Sequence, residues 1–124
     1  MDKIKSHKDL KVYQLAYEAA LEIHEFTKSF PSDERYSLTN QIRRSSRSVC
    51  SNLAEAWRKR RYKKNFISKL SDSEAEASET QVWLDMSESF KYIDARTHND
   101  LYDKYEHIIA MLITMSNQPE KWSI

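Results

Sequence analysis

No glycine occurs anywhere in the 124-residue sequence, which also holds only two prolines and one cysteine. Glycine accepts positive φ at no steric cost, so its absence disfavours tight two-residue hairpins and turn-rich β structure. It also removes the phosphate-cradling loops of the Walker and Rossmann motifs, which need backbone approach that a Cβ would block. The single Cys50 excludes an intrachain disulfide and suits a reducing compartment; it reads as a small apolar residue of the interior. No run approaches the roughly 18 consecutive apolar residues of a membrane span. Met1–Lys11 is polar, without the apolar centre of a signal peptide. A soluble, cytoplasmic protein with no membrane partner is expected.

What is present favours helices. Hydrophobic residues make up 40% and charged residues 31% of a chain long enough for one core, so a single domain over 1–124 is expected, with residues 1–8 and 118–124 as flexible flanks. From Asp9 to Ser29, Val12, Ala16, Ala19, Ile23 and Phe26 recur at helical spacing, with Leu10, Tyr13, Tyr17 and Leu21 widening the face. Phe30 and Pro31 end this helix. Ser32 and Asp33 can cap a second, from about Asp33 to Arg58, striped by Leu38, Ile42, Val49, Leu53 and Ala56. Its serines at 45, 46, 48 and 51 form helix weakly, so it depends on packing and admits a close neighbour. A third helix is predicted over Lys64–Lys91, with Phe66, Leu70, Ala77 and Leu84 on one row and Trp83, Met86 and Phe90 on another. A fourth runs from Ala95 or Thr97, with Thr97 as N-cap, to Asn117, anchored by Leu101, Tyr105, Ile108, Leu112 and Met115. Four long helices on short connections make an all-α, antiparallel up-down-up-down four-helix bundle.

A net charge of +1 hides a strong segregation. Arg35–Lys69 holds eleven Lys/Arg against one acid, Glu55, whereas Asp72–Glu106 holds ten Asp/Glu against three bases. At 100° per residue, Ile42, Val49, Leu53 and Ala56 fall within about 60° of one another, and Arg43, Arg44, Arg47 and Arg58 lie roughly 100 to 200° away. Arg60, Arg61, Lys63 and Lys64 extend this stripe into the junction with helix three, beside Trp57, Tyr62 and Phe66. Cations interleaved with aromatics suit a phosphate backbone and its exposed bases, either RNA or DNA. The rival reading is a solvated face, or one paired with the acidic helices of a neighbouring subunit.

Catalytic and metal chemistry find little support. A di-iron bundle needs Glu-x-x-His, but the residues three before His7, His24, His98 and His107 are Ile4, Leu21, Ala95 and Lys104. His24 reads as a core-edge residue with a hydrogen-bond partner, and His98 and His107 as surface residues. Glu74, Glu76 and Glu79 have no nucleophile or histidine at a matching spacing. No enzyme activity, metal or cofactor is expected.

Asp9-Leu-Lys-Val, Phe30-Pro31, Glu34-Arg35-Tyr36, Gln41-Ile42-Arg43-Arg44, Asn52-Leu53-Ala54-Glu55 and Glu79-Thr80-Gln81 together resemble the bacterial four-helix-bundle proteins encoded in intervening sequences of 23S rRNA genes. The resemblance spans almost the whole chain. It implies a homopentameric ring without known catalysis, and it places the family's arginine pair on Arg43 and Arg44. It also carries structural roles to Asn52, Glu55 and Gln81, with Asn52 and Glu55 read as an interhelical pair setting register. The accessory variability proteins of diversity-generating retroelements are similar in architecture, which brings in a reverse transcriptase partner by analogy only. Where the family has glycine after that glutamate, this chain has Ala56 and Trp57, leaving open whether helix two ends there or continues.

Overall fold

The computed structural model describes residues 3–124. Four long helices, α1 (Lys11–Thr27), α2 (Leu38–Arg58), α3 (Lys63–Ser89) and α4 (Ala95–Asn117), are followed by a short α5 (Pro119–Trp122). Each long helix packs on its neighbours in sequence, and α1 closes against α4, while the diagonal pairs stay apart. The result is the up-down-up-down bundle expected. Its centre is the predicted stripe: Ala16, Ala19, Ile23, Ile42, Val49, Leu53, Leu70, Ala77, Leu84, Ile108 and Leu112 are all inaccessible.

The closest packing joins α2 to α3, and small residues make it possible. Ser45, Ser73, Ala77 and Thr80 are fully buried. Ser73 Oγ donates to the Val49 carbonyl at 2.8 Å, and Thr80 Oγ1 donates to Ser45 Oγ at 2.8 Å. The serines that weaken helix propensity therefore bond across a seam that bulky side chains would hold open.

The helix ends depart from expectation in instructive ways. Helix α1 stops at Thr27, because the chain tightens into i−3 hydrogen bonds through Ser29 and Phe30 before Pro31. Helix α2 starts at Leu38 rather than Asp33. Ser32–Glu34 forms a separate 3₁₀ turn, and the Glu34 carboxylate reaches forward to accept from the Leu38 amide at 3.3 Å. Helix α2 ends at Arg58, two residues past Ala56, and the chain turns over Lys59–Tyr62. The α4 cap is Asp94, whose Oδ1 accepts from the Thr97 amide at 2.8 Å; Thr97 is the capped residue, not the cap. The apolar faces are also narrower than the sequence suggests. Tyr17, Leu21, Met86 and Phe90 are exposed, because a helix in a square bundle meets only two neighbours.

Lys91 takes the role glycine would fill. It has φ 64°, with its amide bonded to the Glu88 carbonyl and the Tyr92 amide to the Ser87 carbonyl, a Schellman end to α3. Lys91→Gly is expected to raise unfolding free energy by up to about 1 kcal/mol in urea titration, since left-handed geometry costs a Cβ-bearing residue roughly that amount.

His98, expected at the surface, is instead 12% exposed and ties α4 to the end of α3. Its Nε2 lies 2.7 Å from Asp85 Oδ1, and its Nδ1 2.9 Å from Asn99 Oδ1. Burial alone would lower its pKa, but the Asn99 and Asp85 hydrogen bonds and the charges of Glu88 and Asp85 raise it overall. A raised folded pKa contributes stability that is complete below the ordinary value of about 6.5 and is lost as pH climbs through the folded value. The stability gap between wild type and His98→Gln should therefore be wider at pH 5.5 than at pH 8.5. Equal gaps would remove the charged pair from the account.

Candidate nucleic-acid interface

The buried stripe of α2 faces the core, so its arginines must turn outward; they do not form the single stripe the helical wheel suggests. Arg43 and Arg44 are adjacent, and side chains one residue apart on a helix diverge by about 100°. Arg43 leans toward α1 and is half-buried. Its Nε donates to Thr27 Oγ1 at 2.8 Å and its Nη2 to the His24 carbonyl at 3.3 Å. Arg44 leans toward α3, where it meets Glu79 at 2.7 Å and Glu76 at 3.4 Å. One of the expected binding cations is thus neutralised inside the molecule. Arg47 stays exposed, with Nη2 3.3 Å from His24 Nδ1, giving His24 the partner its sequence position called for.

Between these side chains lies a hollow of about 440 Å³ on the outer face of α2. Arg35, Arg43, Arg44 and Arg47 line it, with Thr39 and Ser48 among the neutral residues, and no carboxylate is in its wall.

The junction after α2 is the second basic group. Arg58, Lys59, Arg60, Arg61, Lys63 and Lys64 occupy six of seven consecutive positions, and among the described residues none forms an ion pair. Arg60 sits over the Trp57 ring, its guanidinium carbon 3.5 Å from the centroid, while its Nε donates to the Trp57 carbonyl at 2.7 Å. Its pKa is lowered, first by burial and then by the Arg58 charge. Trp57 is held in turn by an edge contact with Trp122 of α5, 6.3 Å between centroids. Tyr62 is 59% exposed between Arg61 and Lys63. Helix α3 then begins with Lys63 and Lys64, no acid in its first turn and no side-chain cap. Two ammonium groups at the positive end of a helix dipole are unfavourable within the chain and attract an external anion.

The residues assigned structural roles act between helices. Asn52 and Glu55 do not bond to each other; both meet Lys69 of α3, at 3.5 Å each, and Lys69 also reaches Asp72 at 3.7 Å. Asn52 Nδ2 donates to the Ser48 carbonyl at 2.9 Å. Buried Gln81 bridges α3 to α4 through the Tyr102 carbonyl at 3.4 Å and Glu106 at 3.3 Å. The sequence reading missed the Lys69 bridge and the hollow. Lys69 carried a signal, a base three residues before Asp72; the hollow carried none, because it joins Arg35 of the turn before α2 to residues of the helix itself.

Fold and site together define an antiparallel four-helix bundle with one strongly cationic edge. Residues 8–114 match the family model of the 23S rRNA-intervening sequence protein, and the chain belongs to that family. Its fold is similar to the 1.70 Å crystal structure of a protein with unknown function from the S23 ribosomal protein family of Bacteroides thetaiotaomicron, with TM-score 0.77 and 26% sequence identity over 86% of this chain and 95% of that one. No curated protein sequence matches.

Proposed function

We propose that this protein is a non-catalytic nucleic-acid-binding bundle whose main contact is the α2–α3 junction. The observation that carries the reading is the run Arg58–Lys64: six cations without an ion-pair partner among the described residues, beside an exposed tyrosine and an uncapped helix start. Polyanion binding releases condensed counterions and supplies the missing charge, and Tyr62 offers a face on which a base can stack. A non-catalytic role fits the carboxylates and the thiol. Glu76 and Glu79 are engaged by Arg44, and burial pushes the Cys50 thiol up to about 11, where it is a poor nucleophile.

A second reading, a homo-oligomeric scaffold, is favoured by two exposed apolar strips: Tyr17 and Leu21 on α1, and Val82 and Met86 on α3 with Phe90 at its C-cap. They sit on diagonal helices that do not touch, so one copy's α1 strip can meet the next copy's α3 strip in a head-to-tail contact, the kind that closes into rings. The two readings are compatible, and the pentamer implied by the resemblance belongs to the second.

Fluorescence anisotropy with a single-stranded RNA, read between 50 and 200 mM salt, tests the first. Affinity should fall steeply with salt, and the double substitution Arg61→Gln with Lys64→Gln should flatten the log–log slope by about 1.4, at roughly 0.7 per lost phosphate contact. Light scattering after nuclease treatment tests the second: Leu21→Glu lowers the particle mass, and the Arg61/Lys64 variant leaves it unchanged. Salt-indifferent or absent binding overturns the first reading; a nuclease-treated wild type at monomer mass overturns the second.

A further inference from the structure

The hollow on α2 is built differently from the junction. Four arginines line it from two segments, Arg35 from the turn before α2 and Arg43, Arg44 and Arg47 from the helix itself. Three of them are held from behind. Thr27 and His24 of α1 position Arg43, His24 also meets Arg47, and Glu76 and Glu79 of α3 hold Arg44. Among the described residues only Arg44 has a carboxylate partner, so Arg35, Arg43 and Arg47 line the hollow without one. Like charges repel, and side chains free to do so would splay into solvent.

A second, independent feature sits in the same wall. Thr39 is 8% exposed, and its hydroxyl is buried without a hydrogen-bond partner among the described residues. A buried hydroxyl left unpaired is costly, and a threonine within a helix can ordinarily bond the carbonyl one turn back. Here the donor is left unused in a wall that also holds four arginines. The wall contains no aromatic ring on which a base could stack and no apolar side chain to receive a greasy ligand. Its donors are guanidinium N–H groups, hydroxyls and the Asn40 amide, the set that matches a compact oxyanion.

We propose that this hollow is a phosphate-binding site, with Arg35, Arg43 and Arg47 as the charged donors and the Thr39 hydroxyl as a neutral one. The junction, by contrast, is an exposed run of cations suited to a polyanion in many registers. The phosphate can be a terminal phosphomonoester or a backbone phosphodiester; only this choice of source rests on the nucleic-acid reading above.

The full-length protein is melted in inorganic phosphate and in chloride at matched ionic strength. Phosphate should raise the melting temperature above chloride, and Arg47→Gln, at an exposed position that leaves the core intact, should abolish most of the gain. Thr39→Val should melt higher than wild type in chloride yet gain less from phosphate, a reversal that a merely structural hydroxyl does not produce. If Arg47→Gln fails to fold, the Thr39→Val pair of melts decides alone. No phosphate-specific gain in wild type, or full gain in both variants, overturns the site. Oligonucleotides with a 5′-phosphate or a 5′-hydroxyl then name the source. A preference of about tenfold for the phosphorylated end, lost in Arg47→Gln, assigns the monoester. Equal binding, weakened equally by Arg47→Gln, assigns the diester. Phosphate stabilisation without oligonucleotide binding keeps the site and discards the nucleic-acid reading; oligonucleotide binding untouched by Arg47→Gln, with no phosphate gain, does the reverse.

Discussion

Everything on the outer face of α2 depends on how its inner face is held. Two hydroxyl hydrogen bonds, Ser73 to the Val49 carbonyl and Thr80 to Ser45, cross the tight α2–α3 seam where side chains are too small to keep the helices apart. A helix packed through Leu and Phe alone can rotate by part of a residue at modest cost, but rotation here takes the Val49 carbonyl from the buried Ser73 hydroxyl, a loss of about 1–3 kcal/mol, whereas Thr80 keeps the Glu76 carbonyl at 2.9 Å. The seam therefore fixes the rotation of α2 about its axis. That rotation sends Arg43 to α1, Arg44 to α3, and Arg47 outward between them.

The same geometry divides the charge of the chain into two accounts of different character. Along the middle of α2, cations are anchored to neighbouring helices and one is neutralised by Glu76 and Glu79. This internal pairing answers part of the segregation between the basic and acidic halves of the sequence. It does not extend to Arg58–Lys64, which lies at the end of the bundle, past the acids of α3 and next to an aromatic pair that braces it from below. Exposed ion pairs contribute little stability, roughly 0–1 kcal/mol, so leaving these six cations unpaired costs the fold little while concentrating positive potential at one corner.

The core was legible in the sequence because burial follows the helical period: Ile42, Val49, Leu53 and Ala56 fall where the wheel places them. Helix ends were less so. Glu34 reaching forward to α2, and Asp94 capping α4 in place of Thr97, are choices between neighbouring polar residues that periodicity does not rank. Lys91 shows the limit from another side, since a chain without glycine gives no warning of where φ turns positive. For the site, sequence supplied the cations and their bias to one helix. It could not say that Arg44 finds Glu79 thirty-five residues later, that Asn52 and Glu55 meet through Lys69, or that the Thr39 hydroxyl is left unpartnered, because those are properties of how the helices pack.

The anion-facing surface proposed for this bundle is the outer side of α2 and the turn that follows it. Amide chemical-shift mapping by NMR, on addition of a short 5′-phosphorylated RNA, reads that surface residue by residue. Shifts clustered at Arg58–Lys64 and along Arg43–Ser51, with α4 silent, are the predicted result. Shifts centred on α4, or spread evenly over all four helices, would contradict it.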